Sequence, residues 1–207
     1  MVIPTMRHAS VLVTLTSLLF FVGCFSSGES FPTVDLDGAS IAGKVLEKYD
    51  SDGNGELSKA ECDANGGLKM MLNADQYHPE VMLDADSSKS VSLQELADKF
   101  DGCFKHKRGT FNCKVKYKGK PLPGATVTIV PEEFMGPIGS ASGETNEEGE
   151  CGVTNEDGFI GGKPGIYRVE ITHPTKKIKS KYNTETVLAI AIDTTNPYGK
   201  ASEFKVQ

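Results

Sequence analysis

Residues 50–61, DSDGNGELSKAE, carry side-chain oxygens at alternating positions and close on a glutamate. Asp50, Asp52, Asn54 and Ser58 stand at places one, three, five and nine of a twelve-residue frame, with the Glu56 carbonyl at seven and Glu61 at twelve. Every donor in this set is a hard oxygen. Calcium takes about six to eight such ligands at about 2.3–2.6 Å, and a loop of this length can wrap them around the ion. Gly55 falls where the chain must turn sharply with positive φ, a conformation that costs glycine little. Leu57, in the eighth place, would pair with a partner loop in a short β-bridge. An Asx-rich surface turn is the plain alternative, but it gives no reason for Leu57 and Glu61 to fall in their places.

Thirty-four residues further on, DADSSKSVSLQE repeats the frame. Asp84, Asp86, Ser88, Ser90, Ser92 and Glu95 fill the ligand places and Val91 the eighth. Two departures weaken this second loop. Lys89 replaces the sixth-place glycine, at a cost on the order of 1 kcal/mol if it must be left-handed, and brings a cation beside the ion. Ser88 is also a poorer ligand than Asp or Asn. The second loop either binds calcium weakly or is a degenerate partner kept for packing.

The flanks must hold these loops. Ile41, Val45, Leu46 and Tyr49 recur at helical spacing ahead of Asp50, the apolar face of an entering helix. CDANGG should end the exiting helix within about two turns. Pro79 leaves only PEVML as a second entering helix, while Leu93, Leu96 and Phe100 mark one side of the second exiting helix. LKMML reads as core rather than as an exposed groove. Over residues 39–104 the chain resembles an EF-hand calcium-binding pair. The resemblance implies two helix–loop–helix units with calcium held at the twelve residues named above.

The charge is uneven. Residues 29–107 hold 16 acidic and 8 basic side chains, a net −8, whereas residues 108–207 hold 12 and 13, a net +1. An acidic first half suits a cation and argues against nucleic acid as a partner.

At the start, Arg7 precedes an uncharged apolar run from Ser10 to Gly23, too short to span a bilayer and suited to a signal-peptide core. It ends in FVGC followed by the polar FSSGES. Val22, Gly23 and Cys24 resemble the lipobox of bacterial lipoproteins, with Phe21 where that family usually has Leu. The resemblance implies a signal peptide over 1–23, lipidated Cys24 as the mature N-terminus, a tether over 24–38, and anchorage to a bacterial membrane. Ordinary secretion is the alternative. Setting Cys24 aside leaves Cys62, Cys103, Cys113 and Cys151, an even number for an oxidising compartment. Their connectivity is open; one bridge in each half is the simplest arrangement. The four His are scattered and no C-x-x-C is present, which argues against zinc.

From Arg108 the apolar period becomes two. Phe111, Cys113, Val115 and Tyr117 alternate with polar residues, ATVTIV alternates again, and GIYRVEITH, TETVLAIAID and SEFKV follow between Gly/Asn/Glu turns. Six or seven short strands in about a hundred residues fit a small β-sandwich. VKYKGKPLPGATVTIVPE, GETNEEGECGVTNEDG and KPGIYRVEIT resemble the carboxypeptidase-regulatory-like, or transthyretin-like, domain of bacterial envelope lipoproteins. That resemblance, over 109–207, implies a seven-stranded prealbumin-like sandwich acting as scaffold or recognition module, with no catalytic residues to carry over. Lys176, Lys177, Lys179 and Lys181 form a basic loop, either solvated or in contact with an anionic surface.

The expectation is therefore an α+β chain of two domains, a helical pair over 39–107 and an all-β half over 109–207. It is a calcium-binding, membrane-anchored envelope protein, with another envelope protein or a polysaccharide as candidate partner, and not an enzyme. An envelope hydrolase with a site between the domains is the alternative, although no nucleophile–base pair is visible. Outside the cell, where calcium is abundant, the loops read as structural sites rather than as a switch.

Overall fold

In the computed structural model, residues 36–73, 82–106, 108–195 and 201–207 are described. The signal segment, Cys24, most of the tether and most of PEVML lie outside the described residues. Helix α1 spans Gly38–Tyr49 and is capped by Asp37, whose carboxylate accepts from Ala39 N at 3.1 Å. Its apolar face buries Ile41, Ala42 and Val45, with Leu46 and Tyr49 partly covered. This face packs on α4, Leu93–Phe104, which buries Leu96, Ala97, Phe100 and Cys103. Leu93, expected on the same side, is 46% exposed; it occupies the first helical position, at the end of the stripe.

Between these helices the chain forms β1 (Glu56–Ser58), α2 (Lys59–Asp63), α3 (Gly66–Leu72) and β2 (Ser90–Ser92). The segment CDANGG departs from its reading as a helix stop. It ends α2 and at once starts α3: the Asn65 side chain accepts from Gly67 N at 2.8 Å and Leu68 N at 3.1 Å. The two glycines serve close approach. A Cβ on Gly66 would come within 2.5 Å of the Ala189 carbonyl oxygen, and one on Gly67 within 2.5 Å of the Ile166 side chain. In α3 Leu68 and Met71 are buried, whereas Met70 is 37% exposed.

The β half forms two sheets. One has five strands in the order β10 (Ala189–Ile192), β9 (Gly165–Thr172), β5 (Thr126–Pro131), β6 (Ala141–Glu144) and β8 (Thr154–Asn155), all antiparallel. In the other, β3 (Asn112–Tyr117) pairs in parallel with β11 (Ser202–Val206) and antiparallel with β4 (Lys120–Pro121) and β7 (Glu150–Gly152). That makes nine strands among the described residues rather than seven, because turn-rich segments supply β4, β7 and β8. Alternation buries Cys113 and Val115 on β3, Val127 and Ile129 on β5, and Val169 and Ile171 on β9. Gly143 on β6 lets the sheets approach, since a Cβ there would collide with the Gly152 carbonyl of β7.

Residues 34–207 make one compact unit, and a single buried cluster runs from Ile41 to Val206 through both halves. Asn65 is central to the junction. Its amide nitrogen donates to Tyr49 OH and to Glu132 Oε1, each at 2.9 Å, and buried Glu132 also accepts from Lys48 Nζ at 3.3 Å. Asn65→Ala removes a helix cap, worth about 1 kcal/mol, and a partner of a buried carboxylate, worth about 1–3 kcal/mol. Urea denaturation is expected to show a loss of about 2–4 kcal/mol in one transition for both halves.

Cys62, Cys103, Cys113 and Cys151, expected to form one bridge in each half, are all buried free thiols in this structure. Cys103 instead donates to Asp193 Oδ1 at 3.2 Å. Burial first, then the Asp193 charge, pushes its thiol up to about 12, and burial pushes Cys62 up to about 11. Cys113 and Cys151 directly oppose each other on β3 and β7. Opposed antiparallel residues have Cα atoms about 4.5–5.5 Å apart, inside the disulfide range of about 4.4–6.8 Å. Oxidation by glutathione disulfide is expected to join Cys113 to Cys151 alone. Peptide mapping should find Cys62 and Cys103 unbridged.

Candidate metal centre

The two loops are built alike. α1 delivers Asp50, and the Asp50 carboxylate then gathers the turn, accepting from Gly53 N at 2.8 Å, Asn54 N at 3.2 Å and Gly55 N at 2.8 Å. Asp52 accepts from Asn54 N at 3.1 Å, and Asn54 Oδ1 from Glu56 N at 2.8 Å. Gly55 has φ +85°, as the sixth place requires. Glu61 is brought in by the start of α2, where Ser58 and Glu61 form a reciprocal capping box. Its Oε2 accepts from Ser58 N and Oγ, both at 2.8 Å, and its Oε1 from Ser51 N and Oγ, both at 2.7 Å.

The second loop repeats this scheme at a 34-residue offset. Asp84 accepts from Ser88 N and Lys89 N, both at 3.0 Å, and Asp86 from Ser88 N at 2.9 Å. Glu95 accepts from Ala85 N at 2.9 Å and from Ser92 N and Oγ at 2.8 Å, within a second capping box at the start of α4. The strands β1 and β2 join the loops antiparallel, with Leu57 opposite Val91, the eighth place of each. Both side chains are buried, 0% and 1% exposed, beneath the loops. Ser90 Oγ also reaches across to Glu56 Oε2.

In each loop the carboxylates converge. Ligand oxygens of Asp50, Asp52 and Glu61 lie within 4.8 Å of one another, as do those of Asp84, Asp86 and Glu95. Each trio is close enough for its oxygens to share one metal ion. They are the two such acidic groups among the described residues.

The loops differ where the sequence departs. Lys89 takes φ +77°, a left-handed conformation that a β-carbon resists, and its neighbour Ser87 has φ +62°. The Ser88 hydroxyl donates to the Ser90 carbonyl at 3.0 Å, so the seventh-place carbonyl already holds a hydrogen bond inside the second loop.

Hydrogen bonds hold the Glu61 carboxyl down to about 2, led by the Ser51 hydroxyl, then Ser58 N, Ser51 N and the Ser58 hydroxyl. Asp86 is likewise lowered, first by the Ser88 amide. A depressed folded pKa stabilises the fold above the unfolded value, and that stability is lost as pH falls through the folded value. For Glu61 the window runs from the ordinary 4.5 down to about 2. In calcium-free buffer, urea midpoints are expected to fall across this interval. The fall should be shallower in Glu61→Gln.

Sequence reasoning missed Asn65 as a junction residue and the buried pair of Lys99 with Asp193. Both left a signal: Asn before Gly-Gly also reads as a helix cap, and Lys99 interrupts the apolar stripe Leu96–Phe100–Cys103. No protein-family model matches the chain, and no curated protein matches it.

Proposed function

We propose that residues 39–104 are an EF-hand pair that binds calcium as a structural ion, in an exported protein anchored through lipidated Cys24. In this reading the β half over 109–207 is a prealbumin-like scaffold or recognition module. The observation that carries the reading is the echo between the loops: carboxylates converge in each, and Leu57 opposes Val91 between them. Asp50, Asp52, Asn54, the Glu56 carbonyl, Ser58 and Glu61 would hold the tighter ion. Asp84, Asp86, Ser88, the Ser90 carbonyl, Ser92 and Glu95 would hold the weaker one. Bound calcium would neutralise carboxylates that otherwise repel one another; one ion would tie the end of α1 to the start of α2, and the other the segment opening at Asp84 to the start of α4.

With an extracellular-type dissociation constant of about 10⁻⁴–10⁻³ M, 1 mM calcium adds about 0.4–1.4 kcal/mol per site. For a unit of this size that raises Tm by roughly 1–6 °C per site. A thermal scan of the full chain in 1 mM calcium against chelator checks this, with magnesium as the control; no shift, or an equal shift with magnesium, counts against it. Mass spectrometry of the mature N-terminus tests the anchor, where an unmodified terminus or a retained leader would refute lipidation.

A further inference from the structure

The end of the β half far from the helices is basic and recessed. β3 begins beside α3, where Met70 lines a cavity with Thr110–Asn112, and runs away from it to Tyr117. β9 likewise begins at the helices, with Ile166 against Gly67, and ends at Thr172. At the far end, Tyr117, Lys118, Lys177, Lys179 and Gln207 line an open recess of about 750 Å³. The Lys118 and Lys176 ammonium groups lie 5.2 Å and 5.5 Å from the centre of the Tyr117 ring. Among the described residues none of these four lysines has a carboxylate within 4.0 Å, which is also true of Lys44, Lys89, Lys105, Lys120, Lys163 and Lys181, but these four cluster round one ring and one recess.

These lysines stand on a fixed frame. His173 holds their loop: its Nε2 meets the Pro123 carbonyl at 3.1 Å, and its Nδ1 lies 3.1 Å from Thr175 N and 3.0 Å from Lys176 N, accepting from both. Ile178, 8% exposed, anchors the chain between Lys177 and Lys179. Lys118 is held at φ +50° and Gly119 at φ +82°, in the tight turn joining β3 to β4. That turn favours Asn, Asp or Gly at its first central place. Lysine there is strained, and strain kept at the rim of a recess points to function.

We infer that this recess binds a segment of acidic polysaccharide, with sugar carboxylates or sulfates on Lys118, Lys176, Lys177 and Lys179 and a sugar ring beside Tyr117. The backbone under the lysines is held, so binding has to order their side chains but not their loop, and the volume falls in the range of small-ligand clefts, about 300–1,000 Å³. A concave site suits a polymer segment better than a flat lipid surface. The inference does not depend on calcium in the loops.

The test is fluorescence polarisation of a labelled heparin-derived octasaccharide with the full chain, at low and high salt. Binding that salt weakens, that neutral dextran does not displace, and that Lys177→Glu/Lys179→Glu weakens about tenfold or more supports the site. Lys44→Glu, an exposed change on α1, should leave it unchanged. Lys118→Gly separates charge from fold: relief of the left-handed strain should raise Tm while affinity falls. No binding, binding indifferent to these reversals, or Lys118→Gly raising Tm at unchanged affinity would overturn the inference. So would lysine-dependent binding to phosphatidylglycerol vesicles without any to the octasaccharide.

Discussion

Glu61→Gln is expected to lower calcium affinity of the first loop by about two orders of magnitude or more, since ligand charge sets affinity in such loops. The change keeps the shape of the side chain and removes one of three converging carboxylates. It also weakens the acceptor that Ser51 and Ser58 now bond at 2.7–2.8 Å. Because Glu61 closes the α2 capping box, part of the cost falls on the calcium-free fold. The two effects separate by measurement. The calcium-free variant should lose a little stability, whereas the calcium-dependent rise in Tm from the tighter event should vanish. The corresponding Glu95→Gln should remove only the weaker event and leave the tighter one in place.

Lys99→Met should produce the largest loss of stability, about 3–5 kcal/mol out of a total that for such a unit is about 5–15 kcal/mol. Lys99 Nζ lies 2.7 Å from Asp193 Oδ2, and the two side chains are only 5% and 10% exposed. Asp193 also accepts from Thr195 N at 2.9 Å, Thr195 Oγ1 at 2.6 Å and Cys103 Sγ at 3.2 Å. Burial alone would push its carboxyl up, but hydrogen bonds from Lys99 and Thr195, with the Lys99 charge, outweigh that and hold it below 3.8. Its contribution is therefore present above 3.8 and lost as pH falls through the lower folded value. Removing the cation strands the anion. Lys99→Met combined with Asp193→Leu should recover much of the loss, because a buried ion pair is worth little more than an apolar pair of the same shape. Lys99 is on α4, after the second loop, and Asp193 follows β10. Chemical denaturation should therefore show one cooperative transition, shifted for helix and sheet signals alike. Two separated transitions would mean that the shared core does not couple the halves.

What could be read in the chain follows from how local each constraint is. The twelve-residue frame is set by local spacing, so the acidic pattern of Asp50 to Glu61 and its echo at Asp84 to Glu95 are visible at once. The left-handed Lys89 and the Leu57–Val91 bridge follow from the same frame. Strand β3 and strand β5 announce themselves by period two. Period does not reveal partners, however, and the parallel pairing of β11 with β3 joins segments about ninety residues apart. β4, β7 and β8 hide in turn-rich sequence because two or three residues carry too little alternation to register. Asn65-Gly66-Gly67 misleads for a different reason. Glycine usually stops a helix, but here two of them begin one so that it can lie on β10. Lys99 and Asp193 find each other only after both halves have packed.

Calorimetric titration of the full chain decides whether the two loops hold calcium. Saturable binding of at least one calcium per chain is expected, with the tighter event absent in Glu61→Gln and kept in Glu95→Gln. No binding heat up to millimolar calcium, or a tighter event unchanged in Glu61→Gln, would contradict it.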